Sequence, residues 1–342
     1  MVGGGPTSFV GPIHRMALRM DDLADLVDGC YSHVDDWHRL IERIRGKVDF
    51  LIVATPNNSH FEIAKAGLEA GLDVFCEKPL SLTVREAETL GRLAEKKGLI
   101  LGIPFTYTGY PMVKLARDLV KKGALGKIDK VMMEYVQGSF RRKNASSRKW
   151  KMDPKIAGPS CVVADIGVHA FTMIEYVTGL ECRELLADIS TYANDAGLED
   201  DASILLRLGD GVKAMLATSK VATGEENGVR LRVYGSKASL YWDQEAPNYL
   251  SVKYPDAPER IYKRKASYIG EISPRSVAAS RFPAGHHEGF VEALANIYDE
   301  FAAAVCSRKC RDFPGAREGI RSMRFVEAVL KSAKRGSRWT KI

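Results

Sequence analysis

Val48–Thr55 (VDFLIVAT) is a nearly continuous apolar run that stops in the turn residues Thr55-Pro56-Asn57-Asn58. A strand wet on one face would alternate apolar with polar residues; an unbroken run marks one covered on both faces, as in a parallel sheet. A helical stretch, Ser59–Ala70, follows, with apolar Ile63, Ala66 and Leu68. Asp73–Glu77 (DVFCE) reads as a second strand. Thr83 begins a capping box with Glu86 three residues on, ahead of a helix reaching about Lys97. Leu99–Phe105 (LILGIPF) is a third strand. Strand–helix–strand–helix–strand at this spacing predicts an α/β doubly wound parallel sheet.

Working outward, Pro111 opens a further helix and Gly123 closes it. Then the pattern changes. Lys130–Gln137, Leu185–Tyr192, Ala202–Leu208, Val212–Ser219, Val229–Tyr234 and Ser239–Trp242 read as strands, most joined by short Gly/Asp turns. Gly209-Asp210-Gly211 links two of them as an antiparallel hairpin. Helices near His287–Val305 and Ala316–Ala333 close the chain. Strands in succession after an alternating half predict two domains: a Rossmann-type dinucleotide-binding domain over 1–105 and an α+β domain over 106–342.

The 342 residues suit two packed domains, and no apolar run approaches the ~18–20 residues needed to cross a bilayer. The opening MVGGGPTSFVGPIHRM carries glycines where a secretory signal would have a basic and then an apolar segment, so a cytoplasmic location is expected. The formal charge of +7 is spread along the chain. Its densest clusters, Arg141–Lys143 and Arg148–Lys151, are short, which fits solvated faces or attraction of an anionic dinucleotide better than nucleic acid. The six cysteines contain one close pair, Cys306 and Cys310, and no second, so free thiols are expected and no metal site.

Three segments could carry chemistry. Gly3-Gly4-Gly5-Pro6-Thr7-Ser8 has Gly3 and Gly5 in the register of a dinucleotide fingerprint, with Ser8 in place of the third glycine. Such a loop lets a pyrophosphate reach backbone N–H groups at a helix N-terminus, although a plain glycine turn reads the same way. Thr55-Pro56-Asn57-Asn58-Ser59-His60 and Glu77-Lys78-Pro79 each lie just past a strand's carboxyl end, where doubly wound folds bind ligands. The first is equally a helix-capping turn. At the second, an ammonium could favour the alkoxide that precedes hydride loss. In Asp165-Ile166-Gly167-Val168-His169, a spacing of four puts carboxylate and imidazole on one face if the helix includes Asp165, and the pair suits acid–base work. A helix-start Asp followed by an exposed His is the plain alternative.

Taken together, GGGPTSFVG, ATPNNSH, CEKPL, the strand-rich second half and DIGVHAF resemble the glucose–fructose oxidoreductase/inositol dehydrogenase family (Gfo/Idh/MocA) over nearly the whole chain. The resemblance implies a Rossmann domain followed by a domain with a large, open, mostly antiparallel sheet, often used in oligomer contacts, here a dimer or tetramer. It implies NAD or NADP, and hydride transfer to or from a hydroxyl carbon of a sugar, sugar derivative or cyclic polyol. It places Gly3, Gly5, Ser8 and Phe9 at the pyrophosphate; Thr55, Pro56, Asn57 and His60 along the dinucleotide; and Glu77 and Lys78 at the nicotinamide and substrate. It makes His169 the proton acceptor, oriented by Asp165 and assisted by Lys78, with the roles of lysine and histidine interchangeable among members. Tyr107, Trp150 and Lys151 are expected in the pocket wall. Thr172 stands where many relatives carry a polar or acidic residue that touches substrate.

Two departures accompany the resemblance. Only Met1 and Val2 precede Gly3, and the passage from Leu26 to Trp37 is too short for the helix and part-strand usual there. The shortening removes sheet hydrogen bonds and part of the adenosine-side wall, which predicts weakened cofactor binding. Asp28 stands at the distance from the glycines where an acidic residue would select NAD, but inside this shortened segment. A dinucleotide-binding regulatory protein with reduced catalysis is therefore the competing reading.

Overall fold

The computed structural model describes residues 1–342 except 7, 32–35, 143–149, 194, 196 and 310. Thr7 of the glycine loop, Ser32 and His33, Lys143, Arg148 and Lys149 of the basic clusters, and Cys310 lie outside the described residues.

Four parallel strands, β1 (Val2–Gly3), β2 (Phe50–Ala54), β3 (Asp73–Cys76) and β4 (Leu101–Gly102), form the first sheet in the order β1-β2-β3-β4. Helices α1 (Val10–Arg19), α2 (Trp37–Ile44), α3 (His60–Glu69) and α4 (Val84–Lys97) belong to this half. Strand periodicity sorts the side chains. Leu51, Val53, Val74 and Cys76 face Ile63 and Leu68 of α3, while Ile52, Ala54 and Phe75 face the other side. Both faces are covered, which is why VDFLIVAT is apolar throughout. The capping box stands as read: the Thr83 hydroxyl accepts from the Glu86 N–H at 3.2 Å and the Glu86 carboxylate accepts from the Thr83 N–H.

The second half carries α5 (Pro111–Lys121), α6 (Pro154–Ala157), α7 (Val168–Thr178), α8 (Ile269–Ile272), α9 (Pro274–Ala278), α10 (Phe290–Ser307) and α11 (Ala316–Lys334). Among the described residues its sheet has nine strands: β5 (Ile128–Val136), β6 (Cys182–Ser190), β7 (Asp201–Leu208), β8 (Lys213–Ser219), β9 (Gly228–Gly235), β10 (Ser239–Asp243), β11 (Tyr249–Lys253), β12 (Arg260–Lys263) and β13 (Thr340–Lys341). The order is β12-β11-β10-β9-β5-β8-β7-β6-β13, and every neighbouring pair is antiparallel except β5/β8. In β7, Ala202, Ile204, Leu206 and Leu208 are buried while Ser203, Leu205 and Arg207 are exposed, so one face packs on helices and the other stays open.

Three readings change in the structure. The third strand is two residues rather than seven, because Pro104 has no N–H to give and the Ile103 N–H bonds Pro314 O instead of a strand neighbour. The short Leu26–Trp37 passage keeps a trace of a strand: Cys30 bridges Val2 in parallel, and the Gly3 N–H bonds Cys30 O at 2.9 Å. Asp28 sits beside Met1, whose ammonium donates to Asp28 O, while Tyr31 lies against Gly5. Asp28 is therefore at the amino end of this stretch, away from the ligand-binding edge, and its carboxylate is taken by Arg43.

We propose a domain boundary at Phe105, between the two sheets. Helix α10 crosses it: Leu294, Ile297, Tyr298 and Phe301 fill the face of the first sheet beside Ile52 and Phe75, next to α1. Tyr298 stacks on Phe75 with ring centroids 4.3 Å apart.

Candidate active site

The glycine loop leaves β1 and enters α1. Gly3 has φ 77°, and a Cβ there would stand 2.4 Å from Ala54 O, so both conformation and contact demand glycine. Ser8 is not a substitute third glycine. Its hydroxyl accepts from the Gly11 N–H at 2.9 Å, and Gly11 itself makes the close helix–loop approach, since a Cβ there would fall 2.0 Å from Gly4 O. Gly11→Ala is expected to push α1 off the loop, lowering stability by about 1–3 kcal/mol and weakening dinucleotide binding; thermal unfolding and NADH fluorescence titration read the two effects. Phe9 is 66% exposed at the start of α1, and the Arg15 guanidinium donates to Gly4 O at 2.7 Å. A positively charged helix start behind a tight glycine turn fits an anionic dinucleotide.

Past β2, Thr55 accepts a hydrogen bond from the Ser59 hydroxyl, and the Asn57 amide donates to Ala157 O at 3.0 Å, tying this loop to α6 of the other half. Pro56 starts the turn in extended conformation. His60 does not reach the cleft. It is 1% exposed, with its ring nitrogens 2.7 and 2.8 Å from the carbonyls of Pro79 and Thr55, so it braces the two loops from beneath.

Past β3, Glu77 is anchored by two residues that the sequence did not single out. His14 of α1 has Nε2 2.9 Å from Glu77 Oε1 and Nδ1 2.7 Å from the Tyr298 hydroxyl. The tautomer satisfying both has Nε2–H donating to Glu77 and the tyrosine donating to Nδ1. Burial raises the Glu77 pKa, but His14 and Lys78 outweigh it and hold the carboxyl below its ordinary value. The other Glu77 oxygen accepts from the Lys78 N–H at 3.2 Å. The backbone that launches Lys78 is thus held from α1 and α10 together.

Lys78 crosses to the second half. Its ammonium donates to Asp165 O at 2.6 Å and to Asp165 Oδ1 at 2.8 Å. Two more lysines share the same carboxylate: Lys151 donates to both oxygens at 2.9 and 2.8 Å, and Lys220 to Oδ2 at 2.6 Å. Burial alone would raise the Asp165 pKa; Lys151, Lys220 and Lys78 together reverse this and hold it well below the carboxylate range. Lys151 moves the other way. Burial, with Lys220 and Lys78 adding to it and Asp165 opposing, lowers it to about 8. Lys220 directly follows β8 as Lys78 follows β3, so the strand-end cue that flagged Lys78 could have found it.

Asp165 lies in a π-helical turn, Val163–Gly167, ahead of α7. The wider turn breaks the spacing-of-four register. The Asp165 carboxylate is consequently bound by lysines and gives His169 no hydrogen bond, a correction to the orienting pair read from the sequence. His169 is 7% exposed, and its Nδ1 is buried with no partner. Burial first, and then Lys78, push its pKa well below the ordinary value. Phe105, Tyr107 and Tyr135 pack around the ring, Tyr107 edge-on at 5.2 Å. The Tyr107 and Tyr135 hydroxyls are 2.7 Å apart, and Asn227 donates to Tyr107 and accepts from Tyr135. Burial drives the Tyr107 phenol up to about 12, so it stays protonated.

Trp150 stands beside the Lys151 ammonium, 5.6 Å from ring centre to nitrogen. Thr172 is placed elsewhere, a second correction. Its hydroxyl donates to Val168 O at 2.8 Å, and the residue lines a cavity of about 720 Å³ with Glu175, Gly98 and Asp312, at the amino ends of the first sheet's strands. A helical threonine can bond its own preceding turn, and here it does. Among the described residues no group of three His, Cys, Asp or Glu side chains could hold a metal, and no helix is long and apolar enough to cross a membrane.

Residues 11–105 match the oxidoreductase family with an NAD-binding Rossmann fold, and residues 113–241 match the GFO/IDH/MocA C-terminal domain. The uncharacterized oxidoreductase YfiI of Bacillus subtilis (strain 168) is 33% identical over 376 aligned positions, covering 99% of this chain and 95% of that protein. The levoglucosan dehydrogenase of Pseudarthrobacter phenanthrenivorans is 26% identical, over 90% of this chain and 83% of its own. The crystal structure of an inositol dehydrogenase homolog complexed with NADH and myo-inositol, from Azotobacter vinelandii, superposes with a TM-score of 0.92 at 32% identity, over 100% of this chain and 96% of that one. With a parallel dinucleotide-type sheet, a mostly antiparallel partner sheet and matches across both halves, this chain belongs to the GFO/IDH/MocA family of NAD-binding oxidoreductases.

Proposed function

We propose that the protein is a dehydrogenase that moves hydride between NAD and a hydroxyl carbon of a sugar, sugar derivative or cyclic polyol. The observation that carries this reading is the meeting of Lys78 from the first half with Asp165 of the second, close enough to His169 to act on its imidazole, whose Nδ1 has no partner. Gly3, Gly5, Ser8 and Phe9 would hold the pyrophosphate, and Thr55, Pro56 and Asn57 the length of the dinucleotide. Held there, the dinucleotide would supply the acceptor for the hydride that leaves the CH–OH carbon as it becomes a carbonyl.

The chain's own residues handle the proton and the charge. His169, kept neutral by its apolar surroundings, accepts the hydroxyl proton. The Lys78 ammonium stabilises the developing alkoxide. Asp165 fixes that ammonium through two oxygens and offsets part of the surrounding positive charge. Tyr107 and Trp150 wall the pocket and exclude water. The open face of the second sheet exposes Leu205, Met215 and Tyr234, which supports assembly into a dimer or tetramer.

A panel of sugars and inositols, followed by the absorbance of reduced nicotinamide, tests the reading; oxidation of at least one compound at an ordinary enzymatic rate is expected. The competing reading, a dinucleotide-binding regulatory protein, draws on the short Leu26–Trp37 passage, which among the described residues pairs with β1 through one bridge at Cys30. Tight NADH binding with a flat response over the whole panel would favour it.

A further inference from the structure

The lysine cluster brings three ammonium groups onto one carboxylate. Lys78, Lys151 and Lys220 all donate to Asp165, so each pair that shares an oxygen lies within about 6 Å. The Lys220 side chain is 2% exposed, and those of Lys78 and Lys151 are largely covered. Among the described residues, no other carboxylate hydrogen-bonds these ammonium groups. Glu199 spends one oxygen on the Ser160 hydroxyl and the Cys161 and Val163 N–H groups, and burial raises its pKa. Asp200 spends both oxygens on the Tyr192 and Ala193 N–H groups. Glu77 turns its oxygens to the His14 ring and the Lys78 N–H, and His169 is neutral. Three ammonium groups converge on one carboxylate, and like charges gathered inside a protein are stabilised when a further anion joins them.

Two further contacts show where that anion would lie. The Lys151 ammonium stands 5.6 Å from the Trp150 ring centre and Lys220 5.0 Å from that of Phe140. The cluster is thus flanked by the Phe140 and Trp150 rings, with Lys78 reaching it from the first half. Lys78 is committed to the reacting hydroxyl under the reading above, which leaves Lys151 and Lys220 as surplus.

Resting on that reading, we propose that the sugar or polyol substrate carries an anionic group, a carboxylate or a phosphate, received by Lys151 and Lys220. The Asp165 carboxylate holds the two ammonium groups in place for it. Neutral sugars bind the same pocket without this contact.

The test uses the full chain with NAD and matched substrates: D-glucose, D-glucuronate and glucose 6-phosphate, with myo-inositol as a neutral polyol. The expected result is a kcat/KM at least about tenfold higher for one of the two anions than for glucose, a gap that narrows as salt is raised. The uronate and phosphate arms say which anion is received. In Lys220→Gln the advantage shrinks mainly through a higher KM for the anion, and Lys220→Arg, which keeps the charge, retains it and guards against a folding defect. Equal or better turnover of the neutral compounds by the native enzyme overturns the inference while leaving the dehydrogenase reading intact. A Lys220→Gln variant that lowers kcat equally for neutral and anionic compounds also overturns it. No turnover of any compound removes the dehydrogenase reading, and the inference with it.

Discussion

His169→Ala is expected to lower kcat by about 10²- to 10⁴-fold, the range that a positioned proton acceptor contributes. NADH affinity, read by fluorescence titration, should stay within a few-fold, because the loops that would hold the dinucleotide lie in the other half of the chain. Lys78→Met is expected to act similarly, since it removes an ammonium that reaches across from the first half. The double variant should cost far less than the product of the two, as groups acting on one proton transfer do not add. The pH profile gives an independent reading. An ordinary histidine would leave a rising limb near 6.5, but burial and Lys78 push His169 well below that value. Any rising limb of kcat/KM that His169 produces should therefore lie well below 6.5. A limb centred on 6.5 would mean that burial does not hold the imidazole neutral, and near-native turnover in both single variants would remove His169 and Lys78 from the chemistry.

Asp165→Asn is expected to be the most destabilising conservative change in the site. The amide keeps the shape and loses the charge, leaving three ammonium groups against a neutral neighbour. Removing one partner of a buried ion pair costs roughly 3–5 kcal/mol, and here one carboxylate serves three lysines. Part of the cost is avoided if Lys151 gives up its proton, which is within reach because its pKa is already lowered to about 8. The sign follows: without the carboxylate, that pKa falls further, and the variant should be least stable at low pH, where all three lysines must stay charged. Denaturant unfolding at pH 6 and pH 9 reads both effects. In Asp165→Ala, which leaves space where the carboxylate stood, added formate should restore part of the stability. An unchanged unfolding midpoint would mean that the lysines are held by other means.

Much of the fold is legible in local pattern. The continuous apolar run of β2 required cover on both faces, and α1 and α10 on one side with α3 on the other provide it. The capping box at Thr83 and the Gly209–Gly211 hairpin rest on contacts only a few residues long, so sequence carries them in full. Where long-range partners intervene, the pattern falls short. Leu99–Phe105 has strand-forming residues throughout, yet only Leu101 and Gly102 pair, because Pro314 from a distant segment takes the next N–H.

In the site the same division holds. Lys78, Asp165 and His169 stand out by residue type and position, and the structure brings Lys78 to Asp165. The sequence alone established an alternating parallel half, a strand-rich second half and the chemical types of the reacting groups, since these follow from side-chain period and local hydrogen bonding. Only the tertiary structure decided that Asp165 serves three lysines rather than the imidazole, that Gly11 instead of Ser8 makes the close helix approach, that His14 and Tyr298 hold Glu77, and that Thr172 faces another cavity. The reason is physical. A π-helical turn, a loop crossing and a helix that brings Tyr298 to His14 across 284 residues each depend on atoms far apart in the chain, and no local period records which of them will meet.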